Sequence, residues 1–281
     1  VVKTFFAYFA VLVLGLVVSG LVVRNPVIPL SVSGGIRASF TNSKLAVIWE
    51  QRVMYFLGQY WWLMIPGLIL GIYAQIKLSS VYNRYLEVGV ESGMSGAETA
   101  RTILDNAGLT DVPVEEVGGH LTDHYDPVKK ALFLSSDNYQ GRSISAVGVA
   151  AHETGHALQH QAAYAPLQFR MSIVPLTQFA SMAWMGLLVL GLFVPMFSKF
   201  IWVAVAIFGV LTLFQIVTLP VEFDASKRAK ERLFRLGLVH AGEGEAVSKV
   251  LSAAAMTYVA AMVTAVLQLL RLMMIARDER D

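Results

Sequence analysis

The sequence contains no cysteine. That excludes disulfides and thiolate-ligated metal sites, so any transition metal must rest on His, Asp or Glu. Charge is scarce too. Asp, Glu, Lys and Arg make up 15% of the 281 residues, against about 25% in an ordinary soluble domain. The formal net charge is only +2, and no basic tract is interleaved with aromatics, so nucleic acid is not an expected partner. No repeat of fixed period is present. In contrast, apolar residues reach 56% and the mean hydropathy is +0.58. They gather into runs of membrane-spanning length, the mark of an integral membrane protein.

Residues 4–23, TFFAYFAVLVLGLVVSGLVV, are apolar for about 20 positions, enough to cross some 30 Å of hydrocarbon as a helix. A signal peptide is the competing reading, but the uncharged core is long and no clean small-x-small cleavage site follows, so a retained span is expected. Residues 25–54 read as a loop and a short amphipathic helix. A second span covers 55–78, with Trp61 and Trp62 as candidates for an interfacial belt and Pro66 as a kink. Spans at roughly 172–197 and 200–220 form a hairpin, and a last one, about 251–275, carries Gln268 and Arg271.

Five spans put residues 79–170 and 221–249 on the same side of the bilayer, where they can meet. Basic residues at the span ends, led by Lys227, Arg228, Lys230, Arg232 and Arg235, lean that side towards the cytoplasm of a cell membrane. Within 79–170 the composition turns soluble. SGAETARTILDNAGL predicts a helix capped by Ser95 with Glu98 three positions on. VPVEEV and KKALFLS predict strands, GGHLTDHYDP a turn-rich connection, and Ser143 the start of a further helix.

That further helix carries the stretch AVGVAAHETGHALQHQ. His152, Glu153 and His156 form H-E-x-x-H. Residues four apart share a helical face, so both imidazoles can reach one ion. Glu153, about 100° around the helix, can hydrogen-bond a water at the ion without displacing it. Zinc suits this set: it acidifies water and polarises a peptide carbonyl, while the carboxylate moves the proton. The small apolar run before the motif predicts a mostly buried helix, where two histidines and a glutamate without a role would be costly.

His160 lies on the same stripe but about 12 Å from His152 along the axis, too far for one tetrahedral site with bonds of about 2 Å. It is expected behind the site, at the surface or on the substrate side of the cleft. The third ligand must come from elsewhere. Glu222 and Asp224, in LPVEFDASKRAKERLF, are the candidates that the topology returns to the same side. Glu222 is the choice, with Asp224 or Ser226 behind it to orient an imidazole. The competing reading makes both acids first-turn residues of a helix beginning at the membrane surface. His120, His124 and Asp126 read first as turn chemistry. Any of the three histidines His120, His124 or His160 could also face an oxyanion, and ALFLS is a candidate edge strand for an extended substrate.

Four stretches taken together, LTDHYDPVKKALFLS, SISAVGVAAHETGHALQ, LPVEFDASKRA and LSAAAMTYVAA, resemble the bacterial membrane-bound neutral zinc metallopeptidases of the YugP-like family over roughly residues 60–275. The resemblance implies one zinc ion on His152 and His156 with Glu222 as third ligand, Glu153 as general base, and a multi-pass membrane protein. More distantly the chain is similar to the HtpX and CAAX-prenyl-protease type of gluzincin, which carry a Glu-x-x-x-Asp element. Here Ser226 stands four residues after Glu222 and the carboxylate has moved to Asp224.

The expected fold is therefore mostly α, a multi-pass membrane protein of about five transmembrane helices with a small α+β gluzincin-like metalloprotease domain. Its expected organisation is an N-terminal extension at 1–54, a span at 55–78, the catalytic part at 79–171, the hairpin at 172–220, the third-ligand segment at 221–250 and the C-terminal span and tail at 251–281. The expected activity is zinc-dependent endoproteolysis of membrane-associated or misfolded polypeptides at the bilayer surface. The rival is a membrane scaffold or assembly factor with a structural zinc. A transporter is disfavoured because the middles of the spans are nearly free of charge.

Overall fold

The computed structural model describes residues 58–193 and 200–278. The expected span at 4–23 and the segment to residue 54 lie outside them. A 3-10 turn at Trp61–Leu63 leads into α1, Met64–Leu86. Pro66 falls in the first turn of α1, where no intrahelical bond needs its N–H, so it helps to start the helix instead of kinking it. The next helix, α2 (Gly96–Asn106), begins with the capping box expected from Ser95 and Glu98. Then come β1 (Val114–Val117), β2 (His124–Asp126), β3 (Ala131–Ser135) and a short helix α3 (Ser136–Tyr139). Helix α4 (Ile144–Gln161) starts on Ser143, whose hydroxyl accepts from Ala146 N. Three long helices follow: α5 (Ala165–Phe193), α6 (Phe200–Arg235) and α7 (Ala241–Asp278).

Among the described residues, four helices are long and apolar enough to cross a membrane: Trp61–Leu86, Ala165–Leu188, Phe200–Arg235 and Ala241–Asp278. The chain is a multi-pass membrane protein, predominantly α-helical with one small sheet. Trp61 and Trp62 are more than half exposed at the start of the first helix, as an interfacial pair would be.

The sheet departs from the two-strand expectation. Its order is β1-β3-β2, with β1 parallel and β2 antiparallel to β3. The third strand lies inside HLTDHYDP, where three residues between turn formers are too few to show alternation. ALFLS is therefore the middle strand, paired on both sides, and the expectation that it offers a free edge is corrected: β1 and β2 are the edge strands, with β2 on the side of Glu153. Asp123 pins the entry to β2, accepting from Ser135 N at 2.8 Å and Asn138 Nδ2 at 2.9 Å.

The apolar run before the motif puts α4 in the middle of the fold. Ala146, Val147, Ala150 and Ala151 are fully buried, and Val147, Ala151 and Leu158 join a core with Ala229, Leu233, Val247 and Leu251 from α6 and α7. Helix α6 carries a second correction. It runs unbroken from the apolar span through Pro220 to Arg235, so Glu222 and Asp224 lie well inside a helix and do not begin one. The competing reading of them as first-turn acids fails.

Small residues let α4 and α6 meet. A methyl group added at Gly155 would overlap the backbone carbonyl of Ala225. Gly155→Ala should push the helices apart, costing about 1–3 kcal/mol as other overpacked sites do and lowering the melting temperature of the detergent-solubilised protein. Gly148→Ala, where a methyl meets only Val247 at 3.6 Å, should leave it unchanged or raised.

Candidate metal centre

The α4–α6 crossing brings two distant stretches of sequence into one cluster. His152 and His156 stand one turn apart with their rings edge-on, centroids 4.9 Å apart. Glu222 of α6 faces both. Its Oε2 is 3.2 Å from His152 Nε2 and 3.6 Å from His156 Nε2, and one donor atom from each of the three lies within 4.8 Å of the others. A tetrahedron with bonds of about 2.0–2.1 Å has edges of about 3.3 Å. The two measured separations are close to such edges, and a His–His–Glu donor set suits zinc. The residues fit one zinc ion.

Both outer nitrogens have partners, and that of His156 explains why its inner nitrogen is free to ligate. His152 Nδ1 lies 3.1 Å from Ser226 Oγ. His156 Nδ1 lies 3.0 Å from Gln159 Oε1. The Gln159 amide nitrogen is already committed to Val221 O at 2.7 Å and Asp224 Oδ2 at 2.9 Å. Its oxygen therefore faces the ring and accepts, which puts the proton on His156 Nδ1 and the lone pair on Nε2. Asp224 in turn accepts from Arg228 Nε at 2.6 Å.

Glu153 is buried, and Tyr125 N of β2 donates to its Oε2 at 3.0 Å. Burial pushes its carboxyl up to about 7; the Glu222 and Asp123 carboxylates add to the rise, and His152 and the Tyr125 N–H oppose it. A bound cation would also draw the value down. The second oxygen of Glu222, Oε1, accepts from Arg170 Nη1 at 2.9 Å, and the Tyr258 hydroxyl approaches the same carboxylate.

The other candidates divide. Ser226 touches a ligating imidazole directly, and Asp224 reaches one only through Gln159. His160 Nδ1 lies 2.9 Å from the Tyr125 hydroxyl, outside the ligand cluster as the helix geometry predicts. His120 lies 3.2 Å from Asp137 and edge-on to Tyr82. His124 Nδ1 is 2.8 Å from Thr122 O, with its ring stacked on Phe133. Asp126 accepts from Val128 N and Lys129 N, which is turn chemistry. Sequence reasoning passed over Gln159, Arg170, Tyr125 and Tyr258. Gln159 was the most accessible of them, since it stands three residues after His156 on the same face.

Residues 60–277 match a protein family described as "Putative neutral zinc metallopeptidase". The chain belongs to this family. The "Putative membrane protease YugP" of Bacillus subtilis (strain 168) is 47% identical over 223 residues, 78% of this chain and 97% of that relative. No solved structure matches. The matched stretch contains both halves of the metal centre, so membership, membrane helices and the ligand cluster agree on a membrane-associated zinc metallopeptidase.

Removing the partner of an imidazole typically costs about 10–100-fold in metal affinity. Gln159→Ala should weaken zinc binding by that factor, measured by competition with a chromogenic chelator. Glu222→Ala should abolish tight binding altogether.

Proposed function

We infer that this metallopeptidase cuts membrane-associated polypeptides internally, next to the bilayer, with Glu153 as the proton-transferring group. The observation that carries the reading is the shared position of Glu153 and the ligand set. The acid follows His152 directly, is held by β2, and sits beside but outside the three-residue cluster. A zinc ion held by His152, His156 and Glu222 would supply Lewis acidity for water and for the scissile carbonyl. Glu153 Oε2 is engaged by the Tyr125 N–H, which leaves Oε1 to take a proton from the attacking water and return it to the leaving amine.

Substrate alignment falls to β2. In an extended strand the N–H and C=O of one residue leave on the same side. Tyr125 N points from the open edge to Glu153, so Tyr125 O is offered there to an extended chain. His160, hydrogen-bonded to the Tyr125 hydroxyl, buttresses that edge. The proximity of the bilayer follows from α6: its apolar run ends at Pro220 and Glu222 is two residues further.

Glu153→Gln tests the catalytic reading. The variant should keep zinc at one ion per chain and lose turnover of an unfolded reporter such as casein by at least about 100-fold. Full turnover in the variant would sink the role of Glu153, whereas a wild-type chain that holds zinc without cleaving casein would favour a scaffold with a structural zinc. We place the metal centre on the cytoplasmic side, following the basic residues at the span ends. The chain has no cysteine and Val128 at the β2–β3 turn is 87% exposed, so Val128→Cys gives a single labelling site. A membrane-impermeant maleimide should label it in lysed cells and not in intact ones; labelling in intact cells reverses the orientation.

A further inference from the structure

The two oxygens of the Glu222 carboxylate have different partners. Oε2 faces the Nε2 atoms of both histidines, at 3.2 and 3.6 Å. Oε1 faces Arg170 Nη1 at 2.9 Å. Glu222 is buried, its side chain 3% exposed, and the Arg170 side chain is 24% exposed. The arginine is itself held in place. Its guanidinium lies over the Phe214 ring, 5.7 Å from the centroid, and Phe214 stands on α6 eight residues before Glu222. Arg170 belongs to α5, so this contact spans the α5–α6 hairpin, which is closed again farther along by Trp184 against Phe208 at 4.9 Å.

A carboxylate can meet a metal through one oxygen or through both, and rotation about its last bond exchanges the two modes. The second mode is suppressed when one oxygen is committed elsewhere. A charge-assisted N–H···O bond is the strong kind, and a guanidinium held over an aromatic ring carries less freedom to follow a rotating partner. Catalytic zinc sites take three protein ligands and leave the fourth position to water or substrate; a second oxygen from Glu222 would add a fifth donor and crowd that position.

We propose that Arg170 fixes the way Glu222 binds the metal, holding Oε1 so that the carboxylate offers Oε2 alone and the fourth position stays open. The inference rests on the zinc-peptidase reading of the site. Arg170 is a positioning residue: it acts through Glu222. The guanidinium also draws charge from the carboxylate, leaving the ion the stronger Lewis acid. Lysine cannot reproduce this, because an ammonium neither stacks on Phe214 in the same way nor presents a planar fork. The competing role is that of a counter-ion which merely permits a buried Glu222.

Cobalt(II) separates the two roles, because its visible absorption is strong when four-coordinate and weak when five-coordinate. The full chain in detergent micelles, stripped and reloaded with cobalt, should show the strong spectrum. Arg170→Met should bind cobalt at the same stoichiometry with the weaker, five-coordinate spectrum. Its casein turnover should fall about 10–100-fold, mainly in kcat, and Arg170→Lys should lie between. A wild-type spectrum in fully loaded Arg170→Met overturns the proposal and leaves Arg170 a counter-ion. If Arg170→Met fails to fold, Phe214→Leu decides, because it keeps the charge and frees the guanidinium: a shift towards five-coordination supports the proposal, and an unchanged spectrum overturns it. A wild-type chain that binds neither cobalt nor zinc overturns the metal-centre reading and this inference with it.

Discussion

Two helix backbones must come within van der Waals contact at Gly155 and Ala225 before any of the chemistry is available. The contact sits one residue from His156 on α4 and three from Glu222 on α6, so its closeness fixes how far the carboxylate stands from both imidazoles. Because α6 is a single helix from the membrane to Arg235, the crossing couples the ligand set to the transmembrane hairpin. The hairpin thus becomes part of the metal centre's support. Arg170 adds the second tie, since it reaches Glu222 from α5 while lying over the Phe214 ring of α6.

Electrostatics make the arrangement tolerable. Glu153 and Glu222 are two buried acids in one small volume, and isolated buried carboxylates are expensive. Each is compensated differently. Glu222 has a guanidinium on one oxygen and imidazoles on the other. Glu153 has a backbone N–H and His152, and burial pushes its carboxyl up to about 7. Glu222, held by Arg170, stands in the ligand cluster, and Glu153, beside it but outside the cluster, is the acid proposed for proton transfer.

Much of the site was legible because its parts are local. H-E-x-x-H is read from spacing within one helix turn, and the exclusion of His160 from length along the axis. The Ser95–Glu98 capping box and the helix start at Ser143 follow equally local rules. Glu222 was reachable through topology, since an even number of crossings separates it from the motif. Gln159 was hidden because its role depends on Val221 and Asp224 occupying its amide nitrogen. β2 was hidden because three residues carry no periodicity, and the edge it provides exists only once β3 has paired on both sides. The expected helix start near Glu222 failed because a run of polar residues after an apolar one marks the edge of a membrane and says nothing about the end of a helix.

The sequence alone determined the class of metal, by withholding cysteine and supplying two histidines at one-turn spacing. It also determined the membrane setting, by the length of its apolar runs. The third ligand's geometry, the proton position on His156, the strand beside Glu153 and the partner of each Glu222 oxygen were decided by tertiary structure. They depend on which atoms become neighbours when helices cross, and crossing distances are set by packing between residues some 70 positions apart, as for His152 and Glu222, where spacing rules no longer reach.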